Sequence, residues 1–444
     1  MYKRQKLALQ VPALNHVRRG ARARTPAVAL RLVDRLAPAL VLATLLFNFA
    51  LCFLNTRGLS ISQAAVIVVE VAILVAAGLV IAPTASRPTL TFFLVVGAYL
   101  GFLRYFNPYI DLKIGIDVAI PVIFWVLGEK YGDIKGADRL VIAATVIVLI
   151  VGAFEWFALD EYQKYFDIFQ YYVDKGSADL SQAKVSGTKL FVSGIRPAGE
   201  GREVFPGLGN HRNSSIFLEP IGAGNFGALI FFWAIHRFRS APRLNMALIV
   251  AAAVIIILAD TRLGAILCVI GLISRVLPLL RRPFVLFLLP VVMPLLILYV
   301  TALHSNGSID NSFMGRIYSS GRLIMDWGPL QWMALQPSLI AAYDSGYGYF
   351  LSNFGVMASL LLWMFAVRRT GLPSTGEFGV ATALYVALSM CVTGSILSIK
   401  TAALIWFLNG VLSHERVGAN GAPTLQSSPF AKGQGRRSSF AAAP

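Results

Sequence analysis

Long apolar runs alternate along the chain with short polar breaks. A helix of roughly 20 predominantly apolar residues crosses the hydrocarbon core of a bilayer. Such segments fall at 36–55, 61–81, 89–106, 114–128, 138–159, 215–235, 244–259, 262–279, 283–303, 345–366, 378–398 and 399–413. The pattern predicts an all-α, polytopic integral membrane protein of about 12 transmembrane helices. The fourth, seventh and last segments are short, and the tight Asp260-Thr261-Arg262 junction reads as a re-entrant turn.

Two polar intervals are much longer than the others, at 160–212 and 304–344. The first opens with Glu161 through Tyr172, whose aromatics predict an amphipathic helix anchored in the headgroup zone. The second is polar at first, then carries Arg316, Arg322, Asp326, Trp327 and Trp332, a pattern for a helix lying on the membrane surface.

Basic residues orient the chain. With the N-terminus inside, the short inner connections hold twelve Lys and Arg, and the short outer ones hold five: Arg57, Arg104, Lys113, Arg262 and Lys400. Cytoplasmic loops carry the excess of positive charge. Both termini are therefore expected in the cytoplasm, and both long loops outside. Residues 1–35 read as a basic cytoplasmic arm, 36–413 as the transmembrane domain and 414–444 as a disordered cytoplasmic tail rich in Gly, Ala, Ser and Pro.

Composition narrows the class further. Of 444 residues, 57% are hydrophobic and 14% charged, which excludes an ordinary soluble domain. The net charge of +17 needs no nucleic acid. Inside-positive loops account for much of it, and the basic arm is suited to anionic membrane lipid. The arm has no apolar run before Leu36 and so does not read as a cleavable signal peptide. Cys52, Cys268 and Cys391 fall within spans, so neither a disulfide framework nor a metal spacing is present. No glycine-rich phosphate loop is seen, and no cofactor is expected.

Candidate chemistry rests on the few charges at or near membrane depth, which are costly there. Glu70 lies mid-span and reads slightly better as a structural hydrogen-bonding group than as a proton carrier. Asp117 and Glu155 lie nearer their span ends and offer it no relay partner. Arg212, Arg262, Arg316 and Arg322 all fall on the outer side. Singly, each has an ordinary reading as a capping, snorkelling or solvated side chain. Converging on one cavity, they would suit a pyrophosphate, because a guanidinium fork binds phosphate oxygens bidentately and stays charged.

Four ordered pieces of 190–370 resemble the bacterial polysaccharide polymerases of the Wzy type and their relatives, the O-antigen ligases. They are Arg212 through Asn225 (RNSSIFLEPIGAGN), Thr261 through Ala265 (TRLGA), Gly321 through Trp327 (GRLIMDW), and Asp344-Ser345 followed by nine residues and Gly355. Arg196 and Gly207 are spaced like a looser arginine–glycine motif of the polymerases. Ligases carry histidine where this chain has Asp344, so the resemblance points to a polymerase.

The resemblance implies an outer cavity capped by the long loops, in a protein of the bacterial plasma (inner) membrane. It implies transfer of a growing glycan from a polyprenyl pyrophosphate to a sugar hydroxyl of a lipid-linked repeat unit, in exopolysaccharide, capsule or O-antigen synthesis. Arg212, Arg262, Arg316 and Arg322 would hold the pyrophosphate, and Asp344, or next Glu219, would take the proton of the attacking hydroxyl. Glu219 precedes Pro220 and could instead satisfy backbone groups that proline leaves unpaired. A chain-length regulator and a flippase are the expected protein partners. The alternatives are an O-antigen ligase and a membrane transporter or flippase, although the halves lack the internal similarity usual in transporters.

Overall fold

A computed structural model describes residues 27–180, 188–196, 202, 204–303, 313–338, 345–369, 376–394 and 397–421. Among them the regular structure is helical, with a single isolated bridge between Ile195 and His211. Seven helices are long and apolar enough to cross a membrane. In chain order these lie within α1 (Ala27–Thr56), α2 (Gln63–Ile81), α3 (Arg87–Phe106), α5 (Ile134–Phe157), α9 (Pro242–Ala259), α11 (Pro283–Leu303) and α14 (Gly346–Arg369). The remaining expected spans are also helical: α4 (Lys113–Tyr131), α8 (Pro220–Arg237), α10 (Arg262–Val276), α15 (Glu377–Val392) and α16 (Ile399–Gly421). Each falls outside the length and apolarity of the first seven. α4 carries Lys113, Asp117, Glu129 and Lys130, and α10 and α15 have only 15 and 16 residues.

Three expectations change. The segment from Glu161 to Tyr172 is two short helices, α6 (Leu159–Tyr165) and α7 (Ile168–Asp174), rather than one interfacial helix. Its aromatics Tyr162, Phe166, Phe169, Tyr171 and Tyr172 are buried. The reason is polar satisfaction inside the bundle: Tyr171 donates to Asn48 at 2.6 Å, and Phe166 stacks on Phe49 at 4.2 Å. α1 begins within the basic arm, at Ala27. α16 continues to Gly421, into the stretch read as disordered tail. The amphipathic helix expected in the second loop is α12 (Phe313–Met325), followed by the short α13 (Pro329–Trp332).

Small residues set the closest crossings, as is common where helices associate without a hydrophobic driving force. A Cβ on Gly128 of α4 would run into the Phe407 backbone, and one on Gly410 of α16 would run into the Trp125 backbone. Likewise a Cβ on Gly224 of α8 would overlap Thr261. The variant Gly224→Ala is therefore expected to lose about 1–3 kcal/mol through overpacking, with partial recovery in the double variant with Thr261→Ala. Thermal melts of the detergent-purified proteins check this.

α14 is kinked at Gly355, whose φ of 69° favours glycine and whose missing Cβ leaves room for the Met333 backbone. Carbonyls at the kink are satisfied by side chains. The Tyr99 hydroxyl donates to Phe354 O at 2.8 Å, and the Ser359 hydroxyl donates to Gly355 O at 2.6 Å.

Candidate functional site

The junction of α9 and α10 is built around one buried carboxylate. Asp260 caps α9 in the left-handed conformation (φ 50°), which aspartate tolerates better than most residues, and its side chain is fully buried. Arg196 donates to its Oδ2 from Nε at 3.1 Å and lies 3.0 Å away through a terminal nitrogen. The Val204 amide donates to Oδ1 at 2.8 Å.

A helix C-terminus leaves carbonyls without intrahelical donors, and arginines supply them here. Arg212 donates to the carbonyls of Ala259 (3.3 Å), Asp260 (3.2 Å) and Ser193 (3.0 Å), and its Nε stands 3.9 Å from Asp260 Oδ2. Arg202, also buried, donates to the carbonyls of His211, Ile257 and Leu258 and lies over the Trp156 ring at 5.3 Å.

Arg316, on α12, is electrostatically coupled to Arg212 together with Arg196 and Arg202. Among the described residues it forms no ion pair and no hydrogen bond. Arg196 and Arg212 thus pair with Asp260, Arg202 lies within its electrostatic reach, and Arg316 within that of Arg212. Burial, and then the neighbouring Arg196, lowers the Arg212 pKa to about 10, with Asp260 opposing the fall. The group remains a cation at neutral pH.

Glu155, at the end of α5, fastens the segment that carries Arg212. Its carboxylate accepts from the amides of Ser214 (3.0 Å) and Ser215 (2.6 Å), and His211 Nε2 lies 3.2 Å away. Glutamine at 155 can replace only part of this acceptor set. Glu155→Gln is expected to cost about 1–3 kcal/mol by leaving a buried amide without an acceptor, read as a lower melting temperature.

A second polar group contains the other acidic candidate. Glu219 is the N-cap residue of α8 but makes no side-chain cap bond. Instead it accepts from the Tyr172 hydroxyl. Lys175 and Lys400 are electrostatically coupled to Glu219. Burial lowers the Lys175 pKa, and Glu219 and Glu70 oppose that fall. Lys400 donates to Phe217 O at 3.0 Å. Glu70 in turn lies within electrostatic reach of Lys113, Asp117, Lys175 and Lys400. Asp117 accepts from Lys113 at 2.7 Å and from the Tyr349 hydroxyl at 3.0 Å. Asp111 is coupled to Lys113 and Asp117 as well, so three lysines and four carboxylates make up this mixed-charge group.

The structure brings Arg212 and Arg316 together. It puts Arg262 at the first position of α10, two residues from Asp260. Arg322 is exposed and, six residues from Arg316, lies about 120° around α12. Glu219 belongs to the lysine group, and Asp344 lies outside the described residues. The reading of Asp117 as no companion for Glu70 does not hold, because α2 and α4 pack together and bring the two within reach. Sequence reasoning did not find Asp260 as a hub, Arg202 as a clamp, or Lys175 and Lys400 near Glu219. Arg196 carried a weak signal through its spacing to Gly207.

These elements define an all-helical protein with several helices long and apolar enough to cross a membrane, and with one buried and several half-buried arginines gathered where α9 meets α10. No family model matches the chain, and no curated protein or solved structure matches it either. Among the described residues, no group of three or more His, Cys, Asp or Glu side chains is placed to hold a metal ion.

Proposed function

We propose that the chain polymerises lipid-linked oligosaccharide repeat units in the bacterial plasma membrane, with twelve spans and both termini cytoplasmic. The observation that carries this reading is the gathering of guanidinium groups at Asp260, on the side of the bundle that the positive-inside pattern assigns to the exterior. A polyprenyl pyrophosphate is a good leaving group already. The protein's task is to position it and to stabilise the charge that develops as it departs.

In the proposed step the acceptor sugar hydroxyl attacks the anomeric carbon of the donor glycan. The bond from that carbon to the pyrophosphate oxygen breaks, and the pyrophosphate leaves on its lipid. Arg316 and Arg262 bind it, with Arg322 at the rim. Arg212, spent largely on backbone carbonyls, contributes field more than direct contact. The hydroxyl proton passes to Asp344 or to Glu219, whose bond from Tyr172 keeps it oriented.

The mixed charges around Glu70 favour a second reading as a membrane carrier, since intramembrane carboxylates often mark ion pathways. The size distribution of surface polysaccharide in cells lacking the protein separates the readings. A polymerase predicts single repeat units and no high-mass ladder. Intact lipid-linked polymer that never reaches its acceptor would mean a ligase, and unchanged glycan would remove both in favour of a carrier.

A further inference from the structure

The far end of α10 carries a second set of arginines, about 20 Å of helix rise from Arg262. There α10 passes through a short 3-10 turn (Pro278–Arg281) into α11, and the turn packs against α15. One carboxylate, Glu377 in the first turn of α15, serves two arginines. Arg281 donates to its Oε1 at 3.2 Å, and Arg275 Nε lies 3.5 Å from its Oε2.

Backbone carbonyls fix both guanidinium groups in place. Arg281 also donates to Arg275 O at 2.6 Å, and Arg275 donates to Ile235 O of α8 at 3.4 Å. Neither group is sealed off, since the two side chains remain 33% and 39% exposed for Arg275 and Arg281. Nη2 of Arg275 and Nη1 of Arg281 make no hydrogen bond among the described residues. Arg282 comes next in the chain and is exposed, and its side chain forms no ion pair or hydrogen bond among the described residues. Counting these four groups, the corner carries two net positive charges.

Apolar side chains stand directly beside the charges. Val276, Leu277, Leu279 and Phe284 are exposed along the end of α10, the turn and the start of α11. An anion free in solution would gain nothing from them, whereas the acyl chains of a lipid would cover them.

We infer that this corner is a binding site for an anionic phospholipid. Arg275, Arg281 and Arg282 take the phosphodiester, and the acyl chains lie along the exposed faces of α10 and α11. A guanidinium fork suits phosphate oxygens, and basic pockets between membrane helices are known places for anionic head groups. Two features set this corner apart from the general positive charge of the same face. The bonds to Glu377, Arg275 O and Ile235 O place the forks in advance, so little side-chain freedom is lost on binding. Those bonds also anchor the forks on α8, α10 and α15, so one headgroup would join three helices. The proposed topology puts the corner at the cytoplasmic leaflet, while the binding itself is independent of the polymerase reading.

Full-length protein in nonionic detergent is titrated with phosphatidylglycerol, with phosphatidylcholine of the same acyl chains and with inorganic phosphate, and bound lipid is counted by native mass spectrometry. Phosphatidylglycerol is expected to bind about 25-fold more tightly than phosphatidylcholine, about fivefold for each net charge. Arg282→Gln is expected to weaken phosphatidylglycerol about fivefold and to leave the melting temperature of the delipidated protein unchanged. Arg281→Gln should weaken it too, with a lower melting temperature from the lost bond to Glu377. If that variant does not fold, Arg282→Gln decides alone. Arg87→Gln, at the exposed start of α3, touches none of these bonds and should leave binding as it is.

Equal binding of the two lipids, displacement of phosphatidylglycerol by equimolar inorganic phosphate, or equal weakening by Arg87→Gln and Arg282→Gln would overturn the inference. Selective binding in a protein whose loss leaves surface glycan unchanged would keep the lipid site and remove the polymerase.

Discussion

Arg316→Ala is expected to reduce polymer formation by about 10²–10³-fold while leaving the melting temperature within a degree or so of wild type. Removing one preorganised donor to a developing negative charge typically costs that much in rate. The fold does not depend on Arg316. It is half-buried and makes no ion pair or hydrogen bond among the described residues, yet it is coupled to Arg212 within the cationic group. Arg212 provides the contrast, because three backbone carbonyls and Asp260 depend on its guanidinium. Arg212→Ala should lower both activity and melting temperature. Arg316→Lys should recover part of the activity, since it keeps the charge and loses the fork. Initial rates with a lipid-linked repeat unit, read beside thermal melts, distinguish the outcomes. Full activity in Arg316→Ala would dismiss the arginine group as the pyrophosphate site.

Asp260→Asn is expected to destabilise the protein by about 3–5 kcal/mol, the usual cost of removing one partner from a buried ion pair. Asparagine keeps the side-chain shape and accepts the left-handed backbone as readily as aspartate, so the substitution isolates charge from conformation. Arg196 would lose its carboxylate, and Arg212 the only counter-charge among its strongest couplings. Four guanidinium groups would then repel one another across the α9–α10 junction. The double variant Asp260→Asn with Arg196→Gln should recover much of the loss. A melting temperature unchanged in the single variant would mean that the carboxylate is not the hub.

The apolar rhythm carried the helical class and the approximate position of each long helix, because hydropathy over about 20 residues is a local property. The resemblance motifs placed residues whose structural roles then became clear. Gly355, which closes the last motif, is the kink of α14, and Gly224 in the first admits Thr261. Contacts between distant segments were not legible. Asp260 appeared as one half of a tight turn, yet its importance comes from Arg196 and Arg212, 64 and 48 residues away. Lys400 counted as one more outer cation, although it holds the Phe217 carbonyl across 183 residues. The aromatics at 162–172 gave a misleading signal. An aromatic with a polar tip suits a membrane interface and a hydrogen-bonded core equally well, and only the presence of Asn48 and Phe49 opposite them decides.

The pairing of Gly128 with α16 also bears on how the molecule is made. α4 leaves the ribosome some 280 residues before the helix that presses its backbone against it. Until then the groove along Trp125 and Gly128 has no occupant from this chain, and Phe217 lacks the lysine that holds its carbonyl. Completion of this part of the bundle therefore waits for α16 to be made. A ribosome that stops before residue 399 leaves a chain with most of its helices and none of that closure.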